Sequence, residues 1–105
     1  MIDNIRTQMR KGLLELSVLL ILSRQRAYPS DLLRTLRQGG IAVVEGTLYA
    51  LLTRLHKEGA LDYEWEESTI GPPRKYYTLT PHGHHLLSLL RQEWQRISAS
   101  INTFI

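Results

Sequence analysis

The feature that most constrains this chain is a change of hydrophobic period near residue 60. The stretch EGTLYALLTRLHKEGAL, Glu45 to Leu61, keeps Leu48, Leu51, Leu52 and Leu55 on one narrow helical arc and closes at Gly59. Two segments rich in β-formers, LDYEWEES and PRKYYTLT, follow at once, separated by TIGPP, which has turn chemistry. A short helix that runs directly into a β-hairpin leaves few architectures open to 105 residues, a length that makes one domain.

The upstream pattern narrows them further. Ile2, Ile5, Met9, Leu13, Leu16 and Leu20 recur at spacings of three and four, which predicts one long helix to Ser23, or two broken near Gly12. Tyr28-Pro29 interrupts it, because proline is accepted in a first helical turn and pushes the residue before it toward an extended shape. A second helix is therefore expected from Pro29, burying Leu32, Leu33 and Leu36 and leaving through Gly39-Gly40. Short helices at 29–38 and 45–58, joined by a brief link, have the helix-turn-helix pattern. Thr80-Pro81 supplies an N-cap and a first-turn proline for a last helix reaching about residue 103. The expected fold is mainly α with a β-hairpin. It is a winged helix-turn-helix over 1–80 with an additional C-terminal dimerisation helix over 81–105.

The arc opposite the leucines holds Gly46, Thr47, Ala50, Thr53, Arg54 and Lys57, while the acids Glu45 and Glu58 fall on its flanks. A helix that enters the DNA major groove needs short side chains near its start and donors facing the phosphates. Thr47 can meet a base edge, Tyr49 can donate to a phosphate, and Arg54 and Lys57 can clamp the backbone. A solvated face that lacks acids by chance gives the same wheel. The hairpin adds Arg74 and Lys75 beside Tyr76 and Tyr77, a cation and aromatic set suited to a wing lying on double-stranded DNA. The competing expectation is that these cations only balance Glu64, Glu66 and Glu67 on the facing strand.

The formal charge of +3 and a pI near 9.5 permit a polyanionic partner without requiring one. The absence of cysteine excludes disulfides, thiolate metal sites and a cysteine nucleophile, and agrees with a cytoplasmic protein. The longest apolar run, LSVLLIL, is far below the roughly 20 residues that cross a bilayer. No glycine-rich phosphate loop or nucleophile elbow occurs, so the expectation is a protein that is not an enzyme and holds no cofactor. His82 and His85 are three apart on one helical face, yet no acid converges on them or on His84, and first-turn solvation explains them without a metal.

In the last helix Leu87, Leu90, Trp94, Ile97, Ile101 and Phe104 follow alternating spacings of three and four, an unbroken heptad seam. Such a seam needs another helix. That helix could be the first of the same chain, but a homodimer that crosses the seam with the N-terminal helix of a second chain, through Ile5 and Met9, would satisfy both surfaces and let paired recognition helices meet half-sites about 34–36 Å apart. Trp94 is large for that position: it can simply fill a gap in a large interface, or with Leu90 and Ile97 it can frame a cavity for a flat aromatic or hydrophobic effector. The same features support a different expectation, a small-molecule sensor or protein-interaction module with weak or lost DNA binding.

In combination, KGLLELSVLLILS from Lys11, EGTLYALLTRLHKEGAL, WEES and PRKYYTLTPHGHHLL resemble the PadR-type transcriptional regulators, in the smaller subclass with a single C-terminal helix. The resemblance implies a homodimeric winged helix-turn-helix repressor acting on a palindromic operator near a promoter. It also implies, for some members, an aromatic effector stacked on a last-helix tryptophan at the dimer interface, a place that Trp94 matches here. Three departures stand out: Ala50 replaces a proline typical after GTLY, Tyr28-Pro29-Ser30-Asp31 replaces a Tyr-Gly-Tyr-Glu type of run, and Pro81-His82-Gly83-His84-His85 replaces an Ala-Gly-Arg-like run.

Overall fold

A computed structural model describes residues 1–10 and 12–105. Lys11, where the resembling stretch begins, lies outside the described residues. The elements are α1 (Ile2–Arg10), α2 (Leu13–Arg24), α3 (Pro29–Gln38), α4 (Glu45–Lys57), β1 (Leu61–Ser68), β2 (Gly71–Leu79) and α5 (Pro81–Asn102). Of the two alternatives for the N-terminal segment, the structure adopts two helices divided near Gly12.

The two short helices end in the same way. At the end of α3 the Ile41 N–H donates to Leu36 O at 2.8 Å and the Gly40 N–H to Arg37 O at 3.1 Å. At the end of α4 the Ala60 N–H donates to Leu55 O at 2.9 Å and the Gly59 N–H to His56 O at 3.0 Å. This paired closure requires a left-handed residue, and Gly40 (φ 88°) and Gly59 (φ 81°) supply it without the strain a Cβ would bring. At the start of α3, the Tyr28 N–H donates to Asp31 Oδ2 at 3.1 Å, half of a capping box.

The core is one cluster in which Val18 and Leu19 of α2, Leu32 of α3, and Leu48, Leu52 and Leu55 of α4 are fully buried. Leu33 and Leu51, expected on the buried faces, sit at the margin and are only partly covered. β1 and β2 pair antiparallel, Leu61 with Leu79 through Glu66 with Arg74, then Ser68 with Gly71. The turn is therefore Thr69-Ile70 rather than the whole of TIGPP, and Gly71, Pro72 and Pro73 belong to β2. The register slips between Glu66 and Ser68, where Pro72 and Pro73 have no N–H to give to a ladder and a bulge absorbs the surplus residue. One isolated bridge, Ala27 with Tyr77, fastens the α2–α3 link to the hairpin.

α5 begins at a close backbone contact. Thr80 Oγ1 accepts the Gly83 N–H at 3.0 Å and donates to Gly59 O at 2.6 Å, while the Thr80 N–H donates to Ala60 O at 3.1 Å. These bonds press the first turn of α5 onto the exit of α4, and Gly83 is buried there. Beyond Leu90 the helix leaves the body of the protein. The radius of gyration is 15.1 Å, against about 13 Å for a compact domain of this length, because α1 buries none of its residues and the outer half of α5 extends free.

Candidate nucleic-acid interface

The bare arc of α4 divides into two flanks in three dimensions. Thr47, Ala50 and Arg54 border a recess shared with Gly12, Leu14 and Glu15 at the start of α2. Tyr49 and Thr53 face the hairpin instead, across a groove of about 380 Å³ that Tyr28, Ser30, Trp65, Pro72, Pro73, Arg74, Lys75 and Tyr77 also line. Lys57 is exposed near the end of the helix. Of the residues expected to meet DNA, the groove thus joins Tyr49 with Arg74 and Lys75, and leaves Thr47, Arg54 and Lys57 outside it.

Arg54 is engaged within the chain. Its Nη1 donates to Glu58 Oε1 at 3.0 Å and to Oε2 at 3.2 Å, and its Nη2 lies 3.3 Å from Glu15 Oε2 on α2. The Glu58 hydrogen bonds raise the guanidinium above its ordinary value, with Glu15 adding to the effect. Arg54, expected as a backbone clamp, is thus paired in the free chain with Glu58 of its own helix and with Glu15 of α2.

The wing cations have the opposite character. Arg74 is level with Glu66 and Lys75 with Trp65 in the β register, yet among the described residues neither cation is in an ion pair. The Lys75 ammonium sits 4.5 Å from the Tyr63 ring centre and 5.3 Å from that of Trp65. The Arg74 guanidinium lies 4.0 Å over the Tyr28 ring. Aromatic faces hold these charges in place without neutralising them, so their N–H edges remain available to an anion. The expectation that they only balance the acidic strand is not met.

Tyr49, though 44 % exposed, is raised above the ordinary tyrosine value by partial desolvation, with the Glu45 carboxylate adding to the shift. Tyr28, with no expected part in the interface, donates its hydroxyl to Glu66 and is raised chiefly by that bond. Ser30, Thr53 and Trp65 also reach the groove without having been singled out for it. The Ala27–Tyr77 pairing that brings Tyr28 to the hairpin is long-range and leaves no local signal in the sequence.

Elsewhere, Leu87 is 5 % exposed and packs in the core of its own chain, with Leu90 partly covered beside it. Trp94 at 48 %, Ile97 at 43 % and Ile101 at 54 % are open, Phe104 more so, and Ile5 and Met9 on α1 are exposed as well. The seam therefore splits: its first two residues are used inside the chain, and the rest stand exposed with no partner among the described residues. His82, His84 and His85 are exposed in the first turn of α5. No helix among the described residues is long and apolar enough to cross a membrane.

A helix-turn-helix made by α3 and α4, braced by α2 and followed by a two-stranded wing, defines a winged helix-turn-helix protein, a class that binds DNA. Comparison with known proteins narrows the class. The model of the transcriptional regulator PadR-like family matches residues 18–89, and the chain belongs to that family. Among solved structures, a PadR-like transcription factor from Bacteroides fragilis is 48% identical, with a TM-score of 0.81 over 98% of this chain and 100% of that one. A PadR-like transcriptional regulator from Bacillus cereus is 36% identical, with a TM-score of 0.79 over 92% and 95% of the two chains. A transcriptional regulator from Clostridium thermocellum is 26% identical with a TM-score of 0.85 over 93% and 95%. An uncharacterised protein from Lysinibacillus sphaericus is 35% identical over 63 residues, 60% of this chain and 58% of its own length. The protein is a DNA-binding transcriptional regulator, and the family is not one of enzymes.

Proposed function

We propose that the protein is a homodimeric repressor that reads a palindromic operator in double-stranded DNA. In this reading the start of α4 enters the major groove with Thr47 toward the base edges. Tyr49, Lys57, Arg74 and Lys75 contact the backbone. The observation that carries it is the pair of wing cations, held by aromatic rings and in no ion pair among the described residues, lining one groove with Tyr49 and Thr53. Arg54 is assigned to the α2–α4 tie. Residues 1–80 form the reading unit, and the part of 81–105 beyond Leu90 forms the dimer contact, with Trp94, Ile97, Ile101 and Phe104 meeting Ile5 and Met9 of a second copy.

Selection of bound DNA from a random pool at stated salt tests the reading. It should return a two-fold sequence with half-sites about 34–36 Å apart. A pool that emerges without sequence preference, or with unpaired half-sites, would count against it.

The exposed Trp94 ring favours one addition: in the dimer, Trp94 with Leu90 and Ile97 contributes to a site for a flat aromatic or hydrophobic effector whose occupancy changes operator binding. Flat aromatic compounds should quench tryptophan fluorescence in a Trp65→Phe background, and Trp94→Ala should abolish the response. A broad panel without quenching would leave the seam purely structural.

A further inference from the structure

The Ala27–Tyr77 bridge sets up a stack of side chains that neither residue joins. Ala27 and Tyr77 exchange backbone hydrogen bonds at 3.1 and 2.9 Å, and both side chains point into the core. Alternation then turns Arg26, Tyr28 and Tyr76 to the outer face, with Tyr28 directly across from Tyr76. The rings are stacked with centres 4.6 Å apart and planes inclined by 28°. The diagonal neighbours complete the pile: Arg26 lies 4.8 Å over Tyr76, and Arg74 lies 4.0 Å over Tyr28. The Tyr28 hydroxyl donates to Glu66, the residue level with Arg74 on β1. One side chain at the threshold of α3 is thereby fastened to both strands of the wing.

Resting on the interface reading above, we propose that Tyr28 and Tyr76 are positioning residues. Their stack fixes the wing against the start of α3, so that Arg74 meets the DNA backbone from a preset direction. A two-stranded hairpin is marginal by itself, and outward of Arg74 this one consists of two prolines, a bulge and the fully open Ile70. Without a lateral tie near Arg74, the groove between α4 and the wing has no fixed width. A guanidinium lying flat on a ring keeps its N–H edge outward, so the contact that anchors the wing is also the one that aims its charge.

A double-mutant cycle on the selected operator tests this. In the native background Arg74→Ala should weaken binding several-fold and lower the salt slope by about one. In a Tyr28→Leu background, where the stack is gone, Arg74→Ala should change neither quantity, while Thr47→Ala on α4 should keep its full effect. Tyr28→Phe, which retains the ring, should leave the Arg74 effect intact. Tyr76→Leu breaks the same stack from the strand side and serves if Tyr28→Leu does not fold. A second arm needs no DNA: the amides of Gly71 and of residues 74–76 should exchange faster in the free Tyr28→Leu protein, with those of α2 and α4 unchanged. Equal Arg74→Ala effects in both backgrounds, or unaltered wing exchange, would overturn the proposal. Failure of the native protein to select DNA would instead sink the interface reading, and the exchange arm would still decide whether the stack holds the wing.

Discussion

Replacing Gly83 by alanine is a one-carbon change whose cost can be worked from the structure. A Cβ at that position would lie 2.1 Å from the Ala60 carbonyl oxygen and 3.0 Å from Leu79 Cδ2. Relief of the first contact alone requires α5 to retreat by roughly an ångström from a backbone atom that cannot rotate away. That retreat would stretch the Thr80 N–H to Ala60 O bond, now 3.1 Å, beyond hydrogen-bonding range and disturb the Thr80 hydroxyl on Gly59 O. Overpacking costs about 1–3 kcal/mol, and a buried carbonyl left without its donor about 1–3 kcal/mol more. Against this, alanine gains roughly 1 kcal/mol over glycine within a helix. The expected net loss is about 1–5 kcal/mol, centred near 3, read as a fall of about 2 M in the urea midpoint for a slope near 1.5 kcal/mol/M. Gly83→Ala and native protein should be compared at one protein concentration, because dimerisation would otherwise enter the midpoint. A midpoint unchanged or raised would mean that helix propensity outweighs the contact. The docking of α5 on the exit of α4 would then be looser than described.

Three further outcomes are expected. On the proposed dimer, native protein should sediment as a dimer, and Ile97→Glu combined with Ile101→Glu should leave the helical signal in place but give a monomer with weakened operator binding; a persisting dimer would move the interface elsewhere. Lys75→Gln should lower the salt slope of operator binding by about one, the signature of one lost phosphate contact, and an unchanged slope would remove Lys75 from the interface. Arg54→Ala should cost only about 0.5–1 kcal/mol of stability, as for other half-exposed ion pairs, and leave the salt slope alone. A slope reduced by one would return Arg54 to the DNA.

What the sequence makes legible follows from the range of each interaction. The α4 arc, its closure at Gly59, and the Thr80-Pro81 start of α5 depend on neighbours within a few residues, and the structure shows all of them. The partner of Arg54 was half visible, since Glu58 is one turn away while Glu15 comes from another helix and appears on no wheel of α4. Seam spacing identified the apolar face of α5. Where that face changes from internal to open depends on where the body of the protein ends, which spacing does not encode. The Tyr28–Tyr76 stack was illegible for the same reason: it needs a single long-range bridge at Ala27 to bring its members together.

The uninterrupted course of α5 has a mechanical consequence. Its 22 residues, about 33 Å of helix, carry Leu87 in the core and Ile101 in the open without any loop between them. Each residue turns the helix by about 100°, so the angular phase between the DNA-reading body and the proposed dimer contact is written in the count of residues from Leu90 to Trp94. One residue inserted there would spare both packing surfaces as compositions yet swing one round the axis relative to the other, and the two reading heads would no longer share a face of the duplex. In the proposed dimer, half-sites that drift in spacing could not be followed by stretching a linker, because α5 runs from the core to the contact as one unbroken helix.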